Sequence, residues 1–391
     1  MRRAIIFLIA IITVFSSKAQ VLVGAERPDL YLPLLEGKRV ALLSNHTGLI
    51  NNAQEHTLDF MLRNQINVTT IFSPEHGFRG NADAGAHVSN STDEKTGIPI
   101  ASLYNGKDSS TPSPEVMARF DVIVCDLQDV GVRFYTYYIT MLRLMNAAQA
   151  FNKEFVVFDR PNPIGMIVDG PILDPKLKSG VGALPIPVAH GMTLGELARM
   201  ICGEGWLSGK SELKLTVIPC ENYTHATRYV LPINPSPNLK SMHAIYLYPS
   251  TCYFEGTVAS LGRGTDTPFE IYGHPQMKAR GYSFTPRSMS GAKNPPHKNS
   301  KCNGVSLCNL PDDEIIANGV NLTYVIDAYR NTTLPKEKKF FTNFFDKLIG
   351  DNQIRTLIEQ GKNAEEIKTL WADDVKQFRE KRKPYLLYPE K

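Results

Sequence analysis

The chain carries none of the short motifs that announce several common enzyme chemistries. No G-x-G-x-x-G follows an apolar run, no G-x-x-x-x-G-K-[ST] is present, and neither H-E-x-x-H nor G-x-S-x-G occurs. These absences disfavour dinucleotide redox enzymes, P-loop NTPases, zincins and standard serine hydrolases in turn. An excess of one charge is also missing. Lys and Arg number 43 against 39 Asp and Glu, and leaving out Arg2, Arg3 and Lys18 reduces the contest to 40 against 39. A near-neutral chain lacks the cationic surface on which nucleic-acid affinity rests. The six cysteines show no metal-ligand spacing, and no internal repeat or low-complexity tract is present.

Past residue 19 no run is long and apolar enough to span a bilayer. Residues 1–19 themselves read as a secretory signal: Arg2 and Arg3, an apolar stretch from Ala4 to Phe15, then Ser17-Lys18-Ala19 before Gln20. The expectation is an exported protein, periplasmic or secreted, whose mature chain begins near Gln20. Cys125, Cys202, Cys220 and Cys252 lie in apolar contexts that suit buried thiols. Cys302 and Cys308 would stand about 20 Å apart if the chain between them is extended, too far to bridge. Mostly free thiols are expected.

With 42% hydrophobic and 21% charged residues over 391 positions, the chain can bury a large core, and its length suggests two domains. Short apolar runs at Arg39–Leu43, Val68–Phe72, Val122–Cys125, Phe155–Phe158, Ile186–Ala189 and Leu215–Ile218 predict strands. Between them Glu55–Asn64, Ile139–Phe151 and Thr193–Cys202 are helix-compatible, the last opened by a capping box of Thr193 and Glu196. Strands alternating with helices predict an α/β fold with a mostly parallel sheet covered on both faces. Near residue 229 the composition shifts to Pro232, Pro235 and Pro237 and then to a Gly/Pro-rich stretch. The predicted division is therefore 20–228 and 229–391, the second unit smaller and α+β. Between Glu270 and Asp312 there are six Lys and Arg and no acidic residue, either an anion-facing loop or a solvated excursion. The segment Thr342–Arg382 is helical in period.

Ligands of open parallel sheets bind at the carboxyl ends of the strands. Here the predicted strands are followed by Ser44-Asn45-His46-Thr47-Gly48, Ser73-Pro74-Glu75-His76-Gly77-Phe78-Arg79-Gly80, Asp126-Leu127-Gln128-Asp129-Val130-Gly131, Asp159-Arg160-Pro161-Asn162-Pro163 and His190-Gly191-Met192-Thr193. One such turn by itself caps a helix or closes a loop. Five together deliver carboxylates, imidazoles and amides to one edge. Glu75 suits a general acid, provided the site raises its pKa by desolvation or by a negative neighbour such as Asp126 or Asp129; pairing with Arg79 or Arg133 is the structural alternative. Aromatic residues crowd the same loops, including Phe134, Tyr135, Tyr137 and Tyr138, with Tyr253, Phe254 and Phe269 further on. Rings that stack on C–H faces, among groups that bond hydroxyls, suit a carbohydrate. No metal is expected, because His46, His76, Asp126 and His190 are scattered without a ligand spacing.

These stretches, with Thr96-Gly97-Ile98-Pro99, Val132-Arg133-Phe134-Tyr135-Thr136-Tyr137, Pro235-Ser236-Pro237-Asn238, Phe254-Glu255-Gly256-Thr257, Gly262-Arg263-Gly264-Thr265 and Pro268-Phe269-Glu270, resemble the NamZ family of exo-β-N-acetylmuramidases, glycoside hydrolase family 171, formerly a domain of unknown function. The resemblance runs in order from about residue 40 to 275. It implies a Rossmann-like domain joined to a smaller C-terminal domain with the active site between them. It also implies release of N-acetylmuramic acid from the non-reducing end of peptidoglycan fragments, with the family's proposed catalytic glutamate at Glu75. The chain departs from the family pattern at Ile164-Gly165-Met166, often Gly-Gly, and at Ile233-Asn234, where a Trp is common.

The expected reaction is hydrolysis of a β-1,4 glycosidic bond through an oxocarbenium-like transition state, with Glu75 as acid beside His76. The second group is Asp126, Glu255 or the substrate's own acetamido oxygen. Arg133, Arg160 or Arg263 would pair with the lactyl carboxylate that distinguishes muramic acid from glucosamine. Further candidate substrate contacts are Asn45, His46, Arg79, Gln128, Asp129, Tyr135, Tyr137, Asp159, Asn162, His190, Ser236, Asn238, Glu255 and Glu270. No organic cofactor is implied. The expected partner is a MurNAc-GlcNAc type saccharide, and the alternative functions are a non-catalytic muropeptide- or sugar-binding protein and a metal-dependent amidase or esterase.

Overall fold

The computed structural model describes residues 20–74, 78, 91–103 and 111–391. Its first part holds nine strands: β1 (Arg39–Ser44), β2 (Leu49–Ile50), β3 (Glu55–His56), β4 (Asn67–Ser73), β5 (Ser91–Thr92), β6 (Pro99–Ser102), β7 (Val122–Asp126), β8 (Glu154–Phe158) and β9 (Leu215–Ile218). Seven form one sheet in the order β5-β6-β4-β1-β7-β8-β9, with every pair parallel except β5 against β6. The predicted α/β fold with a mostly parallel sheet is therefore present. The alternation of residues along each strand divides the core in two, as the two-residue period of a pleated strand requires. Ala41, Leu43, Ile123, Cys125, Phe155 and Val157 enter one apolar cluster, whereas Val40, Leu42, Val122, Val124, Val156 and Phe158 enter another on the opposite face.

Helices α1 (Pro28–Leu35) and α2 (Thr57–Arg63) cover the second face. After α3 (Pro114–Met117), α4 (Tyr137–Ala150) and α5 (Leu194–Gly203) cover the first. The Thr193/Glu196 capping box forms as predicted: Thr193 accepts from the Glu196 amide, and the Glu196 carboxylate accepts from the Thr193 amide.

One predicted strand is absent from the sheet. Ile186–Ala189 is irregular, forming isolated bridges from Ala189 to Val132 and Asp169 instead of a strand ladder. Its side chains are nevertheless buried, so a short apolar run that signals burial is satisfied by a core-lining loop as well as by a strand.

Beyond α6 (Met242–Thr251) a three-stranded antiparallel sheet forms in the order β10 (Ile271–His274), β12 (Cys302–Ser306), β11 (Tyr282–Phe284). The segment predicted helical from Thr342 to Arg382 breaks into Asn343–Ile349, Ile354–Glu359, Ala364–Lys368 and Ala372–Arg382. Their apolar faces join the cluster on the first face of the large sheet, making one core across both parts. All six cysteines are free thiols. No helix among the described residues is long and apolar enough to cross a membrane.

Residues 385–390 then run back over the large sheet. Tyr388 donates its hydroxyl to Asp159 Oδ2 at 2.6 Å and accepts the Cys220 amide at 2.9 Å. Glu196 Oε1 accepts the Leu387 amide at 2.8 Å and lies 3.0 Å from His225 Nε2, while the His225 amide donates to the Pro389 carbonyl at 2.9 Å.

Candidate active site

The register that pairs Ser44 with Asp126 brings the loops after β1, β7 and β8 to a common edge. At its centre Asp126 is wholly buried, and Arg160 grips it with Nε to Oδ1 at 2.6 Å and Nη2 to Oδ2 at 3.0 Å. The third guanidinium nitrogen donates to the Leu49 carbonyl at 3.0 Å. Burial works against the Arg160 charge, but Asp126 outweighs it and leaves the guanidinium pKa above its usual value. Such a pair repays its desolvation through bidentate geometry and filled lone pairs. In this structure Asp126 and Arg160, both expected at the site, thus occupy each other.

Around this pair the polar side chains form a chain of contacts. Asn45 Oδ1 accepts from the Thr47 amide (3.0 Å) and hydroxyl (2.6 Å), and its amide nitrogen donates to Tyr137 Oη at 2.7 Å. The Thr47 hydroxyl also accepts from the Gln128 amide at 3.2 Å. Tyr135 and Tyr137 both donate to the Pro235 carbonyl, at 2.8 and 3.2 Å, and His46 Nε2 lies 3.0 Å from the Asn234 carbonyl. The turn holding Ser236 and Asn238 is thereby pinned to the strand ends. Thr47 and Asn234, absent from the predicted set, are the connectors; Thr47 sits inside a predicted motif, but nothing local marks Asn234.

Gly131 organises a second group. Its φ of 75° favours glycine, and a Cβ would overlap the Asn162 carboxamide. Its amide donates to Asp129 Oδ1 at 2.7 Å, and its carbonyl accepts from the His190 amide at 3.4 Å. The His190 ring accepts the Met192 amide at Nδ1 (3.2 Å), and Asn162 donates to the Met192 carbonyl at 2.9 Å. Burial first, and then Arg382 and Arg133, pull the His190 pKa down to about 3, so this ring is neutral at ordinary pH.

Asp129 stands out electrostatically. Its Oδ2 is buried with no hydrogen-bond partner among the described residues, and burial pushes its pKa up to about 7 against the pull of backbone amides. The unfolded chain releases this proton near pH 4 but the folded one keeps it to about 7, so this group's contribution to stability falls as pH rises through that window. Asp129→Asn, which keeps an acceptor for Gly131, should remove that slope. Urea unfolding of both proteins at pH 5 and pH 8 should show the wild type losing on the order of 2–3 kcal/mol relative to the variant. Parallel behaviour of the two would mean that the carboxyl is ionised throughout.

Other predicted residues serve the architecture. Asp159 accepts from Thr193 (2.6 Å), the Gly195 amide (2.8 Å) and Tyr388, and burial raises its pKa to about 6. Glu270 accepts from Ser241, the N-cap of α6, at 2.5 Å. Arg133 is fully buried and has no carboxylate partner among the described residues. It donates from Nη1 to the carbonyls of Pro171 (2.6 Å) and Ile186 (2.9 Å), and from Nη2 to those of Leu348 (3.0 Å) and Ile349 (2.7 Å). Burial lowers its pKa to about 10. The last two carbonyls end the helix Asn343–Ile349, whose left-handed Gly350 (φ 80°) leaves no room for a Cβ against the guanidinium. The guanidinium expected to meet a substrate carboxylate is thus directed at main-chain carbonyls.

Glu255 and Arg263 lie on a cleft of about 480 Å³ with Phe254, Lys293, Asn294 and Pro295. A larger cleft of about 940 Å³ between residues 20–26, 49–53 and 222–232 is lined by none of the predicted site residues. β4 ends at Ser73, and Phe78 packs edge-on against His56 at 5.1 Å. Glu75, His76 and Arg79 lie outside the described residues. Among the described residues no three His, Cys, Asp or Glu converge as metal ligands.

Comparison with known proteins accounts for nearly the whole chain. A family model described as exo-β-N-acetylmuramidase NamZ, N-terminal, matches residues 40–243, and its C-terminal counterpart matches residues 246–388. The peptidoglycan β-N-acetylmuramidase NamZ of Bacillus subtilis (strain 168) is 38% identical over 398 residues, which span 95% of this chain and 92% of that protein. Among crystal structures, a DUF1343 family protein of Bacteroides fragilis has a TM-score of 0.88 at 54% identity, covering 95% of this chain and 100% of that one. A second DUF1343 protein of the same organism has a TM-score of 0.77 at 30% identity, covering 94% and 99%. Matched through both its N-terminal and its C-terminal part, the chain belongs to the NamZ family of exo-β-N-acetylmuramidases.

Proposed function

We propose that this protein is an exo-acting glycoside hydrolase that removes N-acetylmuramic acid from the non-reducing end of peptidoglycan fragments outside the cytoplasm, with Glu75 as general acid. The observation that carries this reading is the match over both parts of the chain to a family of that activity. The polar edge described above supports it, because the segment holding Glu75 follows β4, whose neighbour β1 leads into the Asn45–Thr47 cluster. A carboxylic acid donates its proton to the departing oxygen as the sugar flattens toward an oxocarbenium ion. With Asp126 occupied by Arg160, the second role falls to Glu255, whose Oε2 accepts no hydrogen bond among the described residues, or to the substrate's acetamido oxygen.

The test is incubation of the purified protein with an aryl β-N-acetylmuraminide, the matching glucosaminide and the natural MurNAc-GlcNAc disaccharide, with and without a chelator. Release from the muraminide and the disaccharide alone, indifferent to chelator, is expected. A folded protein that cleaves none of them is a saccharide-binding protein instead. Activity lost to chelator and restored by a divalent metal would identify a metallohydrolase.

A further inference from the structure

The three arginines expected to meet a carboxylate differ in what they have left to offer. Arg133 spends both terminal nitrogens on four carbonyls, and Arg160 spends all three nitrogens on Asp126 and Leu49. Arg263 holds Glu255 Oε1 with Nε at 3.0 Å and Nη2 at 2.5 Å, and its guanidinium lies 5.2 Å above the Phe269 ring. Its Nη1 has no hydrogen-bond partner among the described residues. The side chain is 21% exposed, on the wall of the 480 Å³ cleft.

The facing wall is residues 291–296, within the stretch that carries six cations and no acid. Glu255 and Arg263 share this lining with Lys293 and Asn294. Apolar atoms of Phe254, Ala259, Leu261 and Pro295 share the lining, which suits a ligand carrying a methyl group beside its anion. This cleft is also tied to the strand ends. Asn238 donates to the Gly291 carbonyl at 2.8 Å, and the turn containing Asn238 is the one held by Tyr135 and Tyr137. From the other side Phe269 packs on Tyr248 at 5.0 Å, and Tyr248 packs on Tyr135 at 6.2 Å.

We propose that the Glu255/Arg263 cleft receives the carboxylate of a muramyl unit, with Arg263 Nη1 as the donor, and that this contact separates muramyl from glucosaminyl ligands. The inference rests on the muramidase reading for its choice of ligand. Glu255 positions Arg263 through Oε1 alone, whose grip on Nε and Nη2 fixes the plane in which Nη1 points, so the second role given above to Glu255 would use Oε2. The carboxylate is that of the lactyl ether or, where that group is amide-linked, of the attached peptide.

Binding by calorimetry separates this proposal from catalysis. Free N-acetylmuramic acid, its neutral lactyl amide and its L-Ala–D-Glu conjugate are titrated into wild type, Arg263→Met and Arg263→Lys. The wild type is expected to prefer the free acid to the amide by about tenfold, the order of one charge-assisted contact. Arg263→Met should reduce that preference to near unity, and Arg263→Lys, which keeps charge without the fork, should cut it several-fold. If Arg263→Met does not fold, the lysine variant carries the test alone. A conjugate bound as tightly as the free acid, and dependent on Arg263, places the carboxylate on the peptide. A wild type that ignores the amide substitution, or an arginine-free variant that keeps the preference, overturns the proposal. Failure to cleave any muraminide while this preference persists would sink the hydrolase reading and leave the cleft assignment standing.

Discussion

Glu75→Gln is expected to lower turnover of a natural MurNAc-GlcNAc disaccharide by 10²–10⁴-fold, roughly the range that general acid catalysis supplies, while the protein folds and binds as before. The amide is nearly isosteric with the acid but has no proton to give to a departing sugar alkoxide. An aryl leaving group of low pKa departs without that proton, so its hydrolysis should fall far less. The alkaline limb of the wild-type pH–rate profile, which reports loss of the acid's proton, should disappear from the variant when aryl substrates are used. Equal losses on both leaving groups would give Glu75 a positioning role. An undiminished rate on the disaccharide would remove it from the chemistry altogether.

The largest effect on stability is expected at Arg133. Arg133→Met retains most of the apolar stem but withdraws the donors of four main-chain carbonyls, two of them at the end of the helix Asn343–Ile349. Each buried acceptor left bare costs about 1–3 kcal/mol, partly recovered because the charged guanidinium no longer needs burying, for a net loss on the order of 3–5 kcal/mol. At this chain length that is a fall of about 5 °C in the thermal midpoint. Arg133→Lys should fall between the two, since a single ammonium cannot reach all four oxygens. A midpoint within a degree of wild type would mean that water replaces the guanidinium without cost.

The contrast between Arg133 and the strands shows what a linear reading can and cannot reach. β1, β4, β7, β8 and β9 were legible to within a residue because an apolar run bounded by polar turns is a local signal, and the Thr193/Glu196 box is more local still. Ile186–Ala189 was misplaced because burial and strand pairing give the same apolar signature. β6, four residues opening on Pro99, gave too short a signal to detect. At the site, residue types at the strand ends predicted where polar groups gather, but not which of them satisfy one another. Asp126 and Arg160 were both placed at the edge, yet their pairing spans 34 positions. The carbonyls that occupy Arg133 come from up to 216 positions away, where no spacing rule points.

The return of residues 385–390 over the large sheet bears on the order in which the molecule can be built. Asp159 and its Tyr388 partner are 229 positions apart, and Glu196 waits nearly as long for the Leu387 amide. The sheet therefore keeps buried carboxylates without their full set of donors until the end of the chain docks, so the last residues made complete the first part to be built. A chain cut after Arg382 would lose the Tyr388 hydroxyl from Asp159 and the Leu387 amide from Glu196 together.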